Sequence, residues 1–421
     1  MTMPIRCPAI QNPEAGLAPA TDFDPLVAWL TDTPAATPGP LPAPGPLSGA
    51  GPSTLPAPGP LSGAGPSGLS EDQISPYGVP PAPAVFPRGA MQPDGRLDLC
   101  KQGIGPVEVG RIAAAAAGSP HVRHLLLGTN ALGSEGVRAV AGALRPGHGI
   151  ETLYLGCNRI GPDGVAILAD RLAGDDTVRA LWLKRNPVGD EGVARLAGAL
   201  GGTANLRTLD LVNTGITATG LTTLTDALVA GGPRLQRLFL GGNGFGPEVV
   251  PVLARLIHEA GVRELYLAVN HLGDEGAAAL ASVAAGVPMT LGLGGNGLTA
   301  AGAAALARHC AAWQVLDLAR PPSQQALGGS PNELGDAGAA EFAAALPGAR
   351  LRRLDLRLTG IRGRGARLLV DAIASGHPTL EYLGINGGVP RRQRRRAGDL
   401  LSERTPTAPH PDIRAIASIY R

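Results

Sequence analysis

Aromatic residues are scarce. Three Trp, five Tyr and five Phe make up 3% of a 421-residue chain, so any place where several gather stands out. Lysine is nearly absent: Lys101 and Lys184 are the only two, and arginine supplies the remaining basic residues. Arginine, like the abundant Ala, Gly and Pro, has GC-rich codons, which points to a high-GC bacterial gene and says nothing of the fold. Four cysteines, Cys7, Cys100, Cys157 and Cys310, lie far apart with no CxxC and no close histidine partner. That excludes a disulfide framework and a cysteine metal site, and free thiols fit a reducing cytoplasm. No run approaches 18 apolar residues, so a helical membrane span is not expected. The opening MTMPIRCPAIQNPEAG lacks the apolar core of a signal peptide. A cytoplasmic location is therefore expected.

Chemistry is missing as well. The chain has no GxxxxGK(S/T), no HExxH and no GxSxG. Gly292-x-Gly294-x-x-Gly297, with Asp317 following at twenty residues, matches the dinucleotide fingerprint, but its glycines occupy ordinary positions of a repeat described below. His121 and His124 stand as a lone pair at the start of a strand and read as surface residues. No nucleophile, base and orienter can be assembled. The expectation is a protein without catalytic residues, metal ligands or cofactor.

Charge is unevenly placed. The formal net charge is +2, yet the segment from Pro347 to Arg421 holds fifteen arginines against six acidic residues. A basic end on an acidic body favours an acidic or polyanionic partner there.

The chain divides near residue 90. From Pro34 to Pro87 proline recurs about every fourth residue among Ala, Gly and Ser, and LPAPGPLSGAGPS occurs twice, at Leu41–Ser53 and Leu55–Ser67. Such a segment buries too little apolar surface to offset its ordering entropy. Residues 34–90 read as a disordered linker, either a plain spacer or a polyproline ligand. In the preceding segment, residues 1–33, Asp24 is placed to N-cap a short helix with Pro25 at its first position. That helix presents Leu26, Trp29 and Leu30, either to a partner or to the end of the following domain.

Beyond residue 90 the pattern L-x-L-x-x-N-x-(L/I)-G recurs, with its first Leu at 97, 125, 153, 181, 209, 238, 265, 291, 316, 354 and 383. The first four steps are 28 residues long. After each motif comes a stretch such as Asp190–Leu200, with Val193, Leu196, Ala197 and Leu200 on one helical stripe. Each repeat is one strand, a turn and one helix. Alone, such a unit leaves apolar flanks bare, so neighbours must stack. The expected fold class is α/β: a horseshoe solenoid of about eleven repeats over residues 91–390, with a parallel sheet on the concave face and helices on the convex face. The motif Asn (130, 158, 186, 243, 270, 296 and 332) is expected to bond turn backbone as a ladder. Thr214 and Thr359 replace it twice, and Gln102 and Gly388 stand there in the terminal repeats. Residues 391–421 read as a cap and tail.

Segments such as YLGCNRIGPDGVAILADRL (Tyr154–Leu172) and YLAVNHLGDEGAAALASV (Tyr266–Val283) resemble leucine-rich repeats of the ribonuclease-inhibitor type, also found in NOD-like receptors and the Ran GTPase-activating protein. The likeness covers roughly residues 91 to 390. It implies a horseshoe that binds proteins on its concave face, as an inhibitor or a scaffold. The chain departs from ribonuclease inhibitors in lacking their cysteine richness and strong acidity.

Strand side chains alternate, so the central residue of L-x-L faces the concavity. Read by repeat, that column is Asp98, Leu126, Tyr154, Trp182, Asp210, Phe239, Tyr266, Gly292, Asp317, Asp355 and Gly384. Four of the thirteen aromatics fall in it. Tyr154, Trp182, Phe239 and Tyr266, exposed beside Lys184, Asp210, Arg237 and Glu264, have the composition of a protein-binding hot spot. Arg353 and Arg357, flanking Asp355, are expected to face the concavity too. An eleven-residue insertion within Ala319–Pro331 should bulge from repeat nine, either as a functional edge or as a tolerated loop. The arginine run Arg391–Arg396 reads as a solvated cap face or a grip for polyanions, with no aromatic interleaving to favour nucleic acid. The closing Pro411–Arg421, with Ile413, Ile416 and Ile419, is expected to fold back over the last repeat. The protein so read is a monomer with a protein partner. The alternatives are a regulator of GTP hydrolysis, for which no matching residues can be located, and a nucleic-acid binder through the basic end.

Overall fold

A computed structural model describes residues 16–32, 83–201 and 205–417. The duplicated proline-rich stretch, Cys7 and Ile419 lie outside the described residues.

Among the described residues, thirteen strands form one open sheet in strict sequence order. Each L-x-L contributes the last two residues of a three-residue strand, and the strands stack parallel and in register, with Leu97 beside Leu125, Leu153, Leu181 and so on to Leu383. The sheet starts earlier than residue 91. Ala84–Val85 and Ala90–Met91 form an antiparallel hairpin on the edge of repeat one, where Met91 pairs with Leu97. This is the end of the proline-rich segment, and the hairpin covers an edge strand that would otherwise be bare. Eleven helices follow the eleven repeat strands, from Gly105–Gly118 to Arg391–Leu401, with an extra turn at Gln324–Leu327. Successive helices pack on one another. Helices need about 8–10 Å between axes and strands about 4.8 Å, so the stack curves with the sheet inside. The architecture is an α/β leucine-rich-repeat solenoid.

The leucine rows form one continuous core along the whole stack. The turn after each strand is held by the asparagine ladder. Asn158 Nδ2 donates to the Leu127 and Leu155 carbonyls at 3.0 Å each, and its Oδ1 neighbour in the next repeat, that of Asn186, accepts from its backbone N–H at 2.8 Å. Asn130, Asn186, Asn243, Asn270, Asn296 and Asn332 make the same pair of bonds to two successive repeats. Thr214 and Thr359 have one hydroxyl donor each and reach only their own repeat, at Leu211 and Leu356. Each ladder bond contributes about 1 kcal/mol net, and each buried carbonyl left bare would cost more. The residue before the ladder position adopts a left-handed backbone in every repeat except the ninth, glycine or not: Thr129, Cys157, Arg185 and Val269 all have φ between 56° and 60°. In repeat nine the insertion begins at that point.

Helix starts are stapled sideways. Asp190 accepts from the backbone N–H and the hydroxyl of Thr217 in the next repeat, at 2.7 and 2.5 Å. Asp274 does the same for Thr299, and Asp336 accepts from the N–H of Arg362.

Both ends are closed. Helix Asp24–Thr31 lies against helix Gly105–Gly118 and buries Phe23, Leu26 and Leu30. Trp29 rests on Phe86 and His121, at 5.7 and 5.2 Å between ring centroids. Of its two readings, this segment takes the packed one, because its apolar stripe meets the bare flank of the first helix. Asp24 makes no cap bond; its carboxylate pairs with Arg111 at 2.5 Å. At the other end, helix Arg391–Leu401 buries only Ala397 and Leu401, and its five arginines are exposed. No helix among the described residues is long and apolar enough to cross a membrane.

Candidate functional site

In each three-residue strand the first and last side chains face the concavity and the middle leucine faces the core. Two columns therefore line the concave face. The second, at the first strand position, includes His124, Thr152, Ala180, Thr208, Arg237, Glu264, Arg353 and Tyr382. Following only the centre of L-x-L hides His124, Thr152, Ala180 and Thr208, although strand alternation alone was enough to find them.

The aromatic column closes into a ladder. The Phe239 and Tyr266 rings stack at 4.2 Å and 3° between planes, and Trp182 leans on Phe239 at 5.0 Å and 44°. Trp182 and Phe239 belong to repeats four and six, two strand spacings or about 10 Å apart at the backbone. Their rings reach toward each other across Asp210 of repeat five, which is left 1% exposed. Burial raises the Asp210 carboxyl to about 6, against the pull of Lys184. Lys184 sits over the Tyr154 ring at 5.5 Å. Arg237 and Glu264 pair at 2.8 Å, and the Tyr266 hydroxyl donates to Glu264 at 3.0 Å. Burial and that neighbouring carboxylate push the Tyr266 phenol up.

The expected exposure of this column does not hold. Tyr154 and Trp182 are 3% and 1% exposed, Arg237 is buried, and Phe239 and Tyr266 are half-buried. The cover is the chain's own C-terminal tail. Helical turn Pro411–Arg414 and the following residues lie on repeats two to six. Ile416 joins Leu126, Tyr154, Ala180 and Trp182 in one apolar cluster, with Ile413, Phe239 and Cys100 packed on its margin. Asp412 accepts from the Thr208 hydroxyl at 2.6 Å and lies 3.7 Å from the Arg237 guanidinium. His410 caps the turn, its Nδ1 accepting from the Asp412 N–H at 3.2 Å. The tail therefore does not fold over the last repeat. It passes that repeat, where Thr407 bonds Glu381 and Arg404 bonds the His377 and Pro378 carbonyls, and then leaves it. Between Thr407 and Asp412 the segment passes from repeat eleven to the strand starts of repeats five and six. The physical reason is the apolar ladder: the last repeat is already closed by its arginine helix, and the nearest bare apolar surface is in the hollow.

The histidines are enclosed as well. His121 packs under Trp29, and His124 bonds Thr152 at 2.9 Å in a site whose burial lowers its imidazole to about 4. His121 is buried and His124 half-buried, where surface positions were expected.

The second half of the concave face is charged. Asp355, 1% exposed, holds Arg357 through Nε and Nη2 at 2.9 and 2.8 Å. Arg353 lies over the Tyr382 ring at 3.9 Å. Burial and the neighbouring Asp355 raise the Asp317 carboxyl to about 6. Arg353, Asp355 and Arg357 thus form a cluster of their own, three strands beyond Tyr266. The structure brings Tyr154, Trp182, Lys184, Asp210, Arg237, Phe239, Glu264 and Tyr266 together and leaves those three apart.

The insertion is folded. It forms the short helix Gln324–Leu327, buries Leu327 beside Gly242 and sets Gly329 against Val269, so it returns over the turns of repeats six and seven. Ser330 then rejoins repeat eight by accepting from the Gly297 N–H at 3.0 Å. No group of three or more His, Cys, Asp or Glu among the described residues is placed to hold a metal ion. Cys100, Cys157 and Cys310 form no disulfide among the described residues, and burial raises the Cys310 thiol to about 11.

Known proteins add the following. The Leucine Rich repeat family model matches residues 118–141, 150–169, 204–224 and 262–281. No curated protein matches the chain. Among solved structures, the crystal structure of the yeast Rad7 and Elc1 complex is similar with a TM-score of 0.46 and 17% identity, covering 69% of this chain and 75% of that one.

Proposed function

We propose that the protein is a non-catalytic interaction module that binds a protein partner on its concave face, as an inhibitor or a scaffold, in the cytoplasm and as a monomer. One observation carries the reading: the stacked ladder Trp182–Phe239–Tyr266, flanked by the Arg237–Glu264 ion pair, on the inner face of a repeat solenoid. Large aromatics beside a buried arginine and its half-buried glutamate supply the area and the orientation that a protein hot spot needs. Repeats of this class serve as interaction scaffolds, and the hollow offers side chains from many strands to one ligand. Among the residues expected to bind, Tyr266, Phe239, Glu264 and Lys184 stay accessible in part, and Tyr154, Trp182, Asp210 and Arg237 lie deeper.

The test is site-specific crosslinking in cells of the source organism. Tyr266→p-benzoylphenylalanine places the crosslinker in the hollow, and Val107→p-benzoylphenylalanine places it on the convex surface, where Val107 is 83% exposed. A protein crosslinked from position 266 and absent from position 107 is the expected result. The same set of products from both positions, or none from 266, refutes a concave-face partner.

The basic end supports a second reading. Arg362, Arg364, Arg367 and the five arginines of Arg391–Arg396 are exposed on two adjacent helices, and Asp371 engages Arg396 at 2.6 Å. Such a ridge would hold a polyanion with an affinity that falls steeply with salt.

A further inference from the structure

The tail is a sample of what the hollow accepts. From it we infer that the concave face of repeats two to six is shaped for a short helical turn carrying an aspartate at its start and isoleucine-like side chains one and four residues later. The protein partner presents such a segment and displaces the tail to bind. This rests on the concave-face reading above and names the chemistry of its partner.

Three observations support it. The tail's contacts are those of a docked ligand: Asp412 meets Thr208 and Arg237 at the strand starts, and Ile413 and Ile416 meet the aromatic ladder. Its tether is built for release. Thr405–Pro409 is exposed, holds two prolines and touches the solenoid chiefly through Thr407, so the anchor can leave without unfolding a repeat. The fit is also incomplete. Trp182, 1% exposed, has an indole N–H with no hydrogen-bond partner among the described residues. A buried donor left unsatisfied weakens the docked state. A partner segment that brings a carbonyl or carboxylate to Trp182 Nε1 outcompetes the tail at that point.

A tethered segment competes at an effective concentration near the millimolar range, so the tail sets a threshold that a partner must exceed. The probe is a fluorescein-labelled peptide of residues 405–421, titrated into the full chain and into full-chain Ile416→Asp, with thermal melting to confirm that both are folded. The peptide should bind the Ile416→Asp chain at least about 10-fold more tightly than the wild type, and a peptide carrying Asp412→Lys should bind neither. Should Ile416→Asp lose its cooperative melt, Asp412→Lys in the full chain, which removes the bond to Thr208 and the pairing with Arg237, releases the tail instead. Equal affinity for the wild-type and released chains, or no binding to a folded released chain, overturns the proposal.

The partner arm separates this from the function itself. Crosslinking from position 266 should rise in the released chain and fall when the peptide is added. A crosslinked partner indifferent to both the variant and the peptide overturns the inference and leaves the concave-face reading standing. Loss of all crosslinking sinks that reading, and the peptide titration still decides whether the tail's site accepts a segment of this chemistry.

Discussion

The two halves of the concave face are made from the same strands in the same register and yet behave differently. Repeats two to six carry Leu126, Tyr154, Trp182 and Phe239 at the inward-facing positions, and the chain covers them with its own tail. Repeats nine to eleven carry Asp317, Arg353, Asp355 and Tyr382 at the equivalent positions, and Asp355 pairs with Arg353 and with Arg357 two residues beyond it. The scaffold does not distinguish the halves; the side chains do. An apolar patch of several residues in water is costly and recruits a cover, whereas a carboxylate already met by Arg353 and Arg357 has its partners within the sheet. The leucine core fixes the shape, and the two facing columns decide which part is occupied.

That contrast can be broken by substitution. Trp182→Ala removes a fully buried indole from the covered half and should lower unfolding stability by about 3–4 kcal/mol, while Tyr382→Ala in the charged half should cost under about 1 kcal/mol. Urea denaturation of the two variants compares them directly, and equal losses would erase the distinction. Asp355→Ala leaves the half-buried Arg357 without its carboxylate. It should cost about 2 kcal/mol, less than the loss for a fully buried pair because Arg357 keeps part of its water, and the same denaturation series reads it. Asp210 sharpens the comparison through pH. Its carboxyl is raised to about 6 under the aromatic roof, against an ordinary 3.8. The protonated form is therefore favoured by the folded chain. The stability this contributes is complete below about pH 3.8 and is lost as pH rises through 6. Asp210→Asn keeps an acceptor for the Val212 N–H that Asp210 now binds at 2.8 Å. It should stabilise the chain at pH 8 by about 1–2 kcal/mol, a partial share of the full shift, and change it little at pH 4. Denaturation at the two pH values measures the difference, and a pH-independent effect would show that the roof does not desolvate the carboxylate.

The periodic part of this molecule was legible before any coordinates. Leucine spacing predicts strands at the observed positions, and the asparagines at 130, 158, 186, 243, 270, 296 and 332 make the bonds expected of them. Such features repeat, so each copy reinforces the next. Aromatic clustering was legible for the same reason: Tyr154, Trp182, Phe239 and Tyr266 share one register position. What stayed hidden is aperiodic. Nothing in PDIRAIASIYR says which surface it covers, and Ile413 and Ile416 at helical spacing announce an apolar stripe without an address. Asp412 meets Thr208 and Arg237 through a contact 204 residues away in sequence, which no local pattern announces. The return of the insertion to Gly242 and Val269 is likewise a matter of loop geometry, outside the reach of pattern. Asp24 shows the limit for local signals: a good capping residue was diverted to Arg111, a partner 87 residues away.

Solenoids are close to one-dimensional objects, in which each unit knows only its neighbours and melting can spread from either end. The bond from Thr208 to Asp412 joins residues 204 apart in sequence. Closing a loop of that length has an entropic cost that local contacts do not meet, so the bond depends on the intervening repeats being stacked. It turns a line of units into a ring, in which the middle of the molecule senses whether its far end is built.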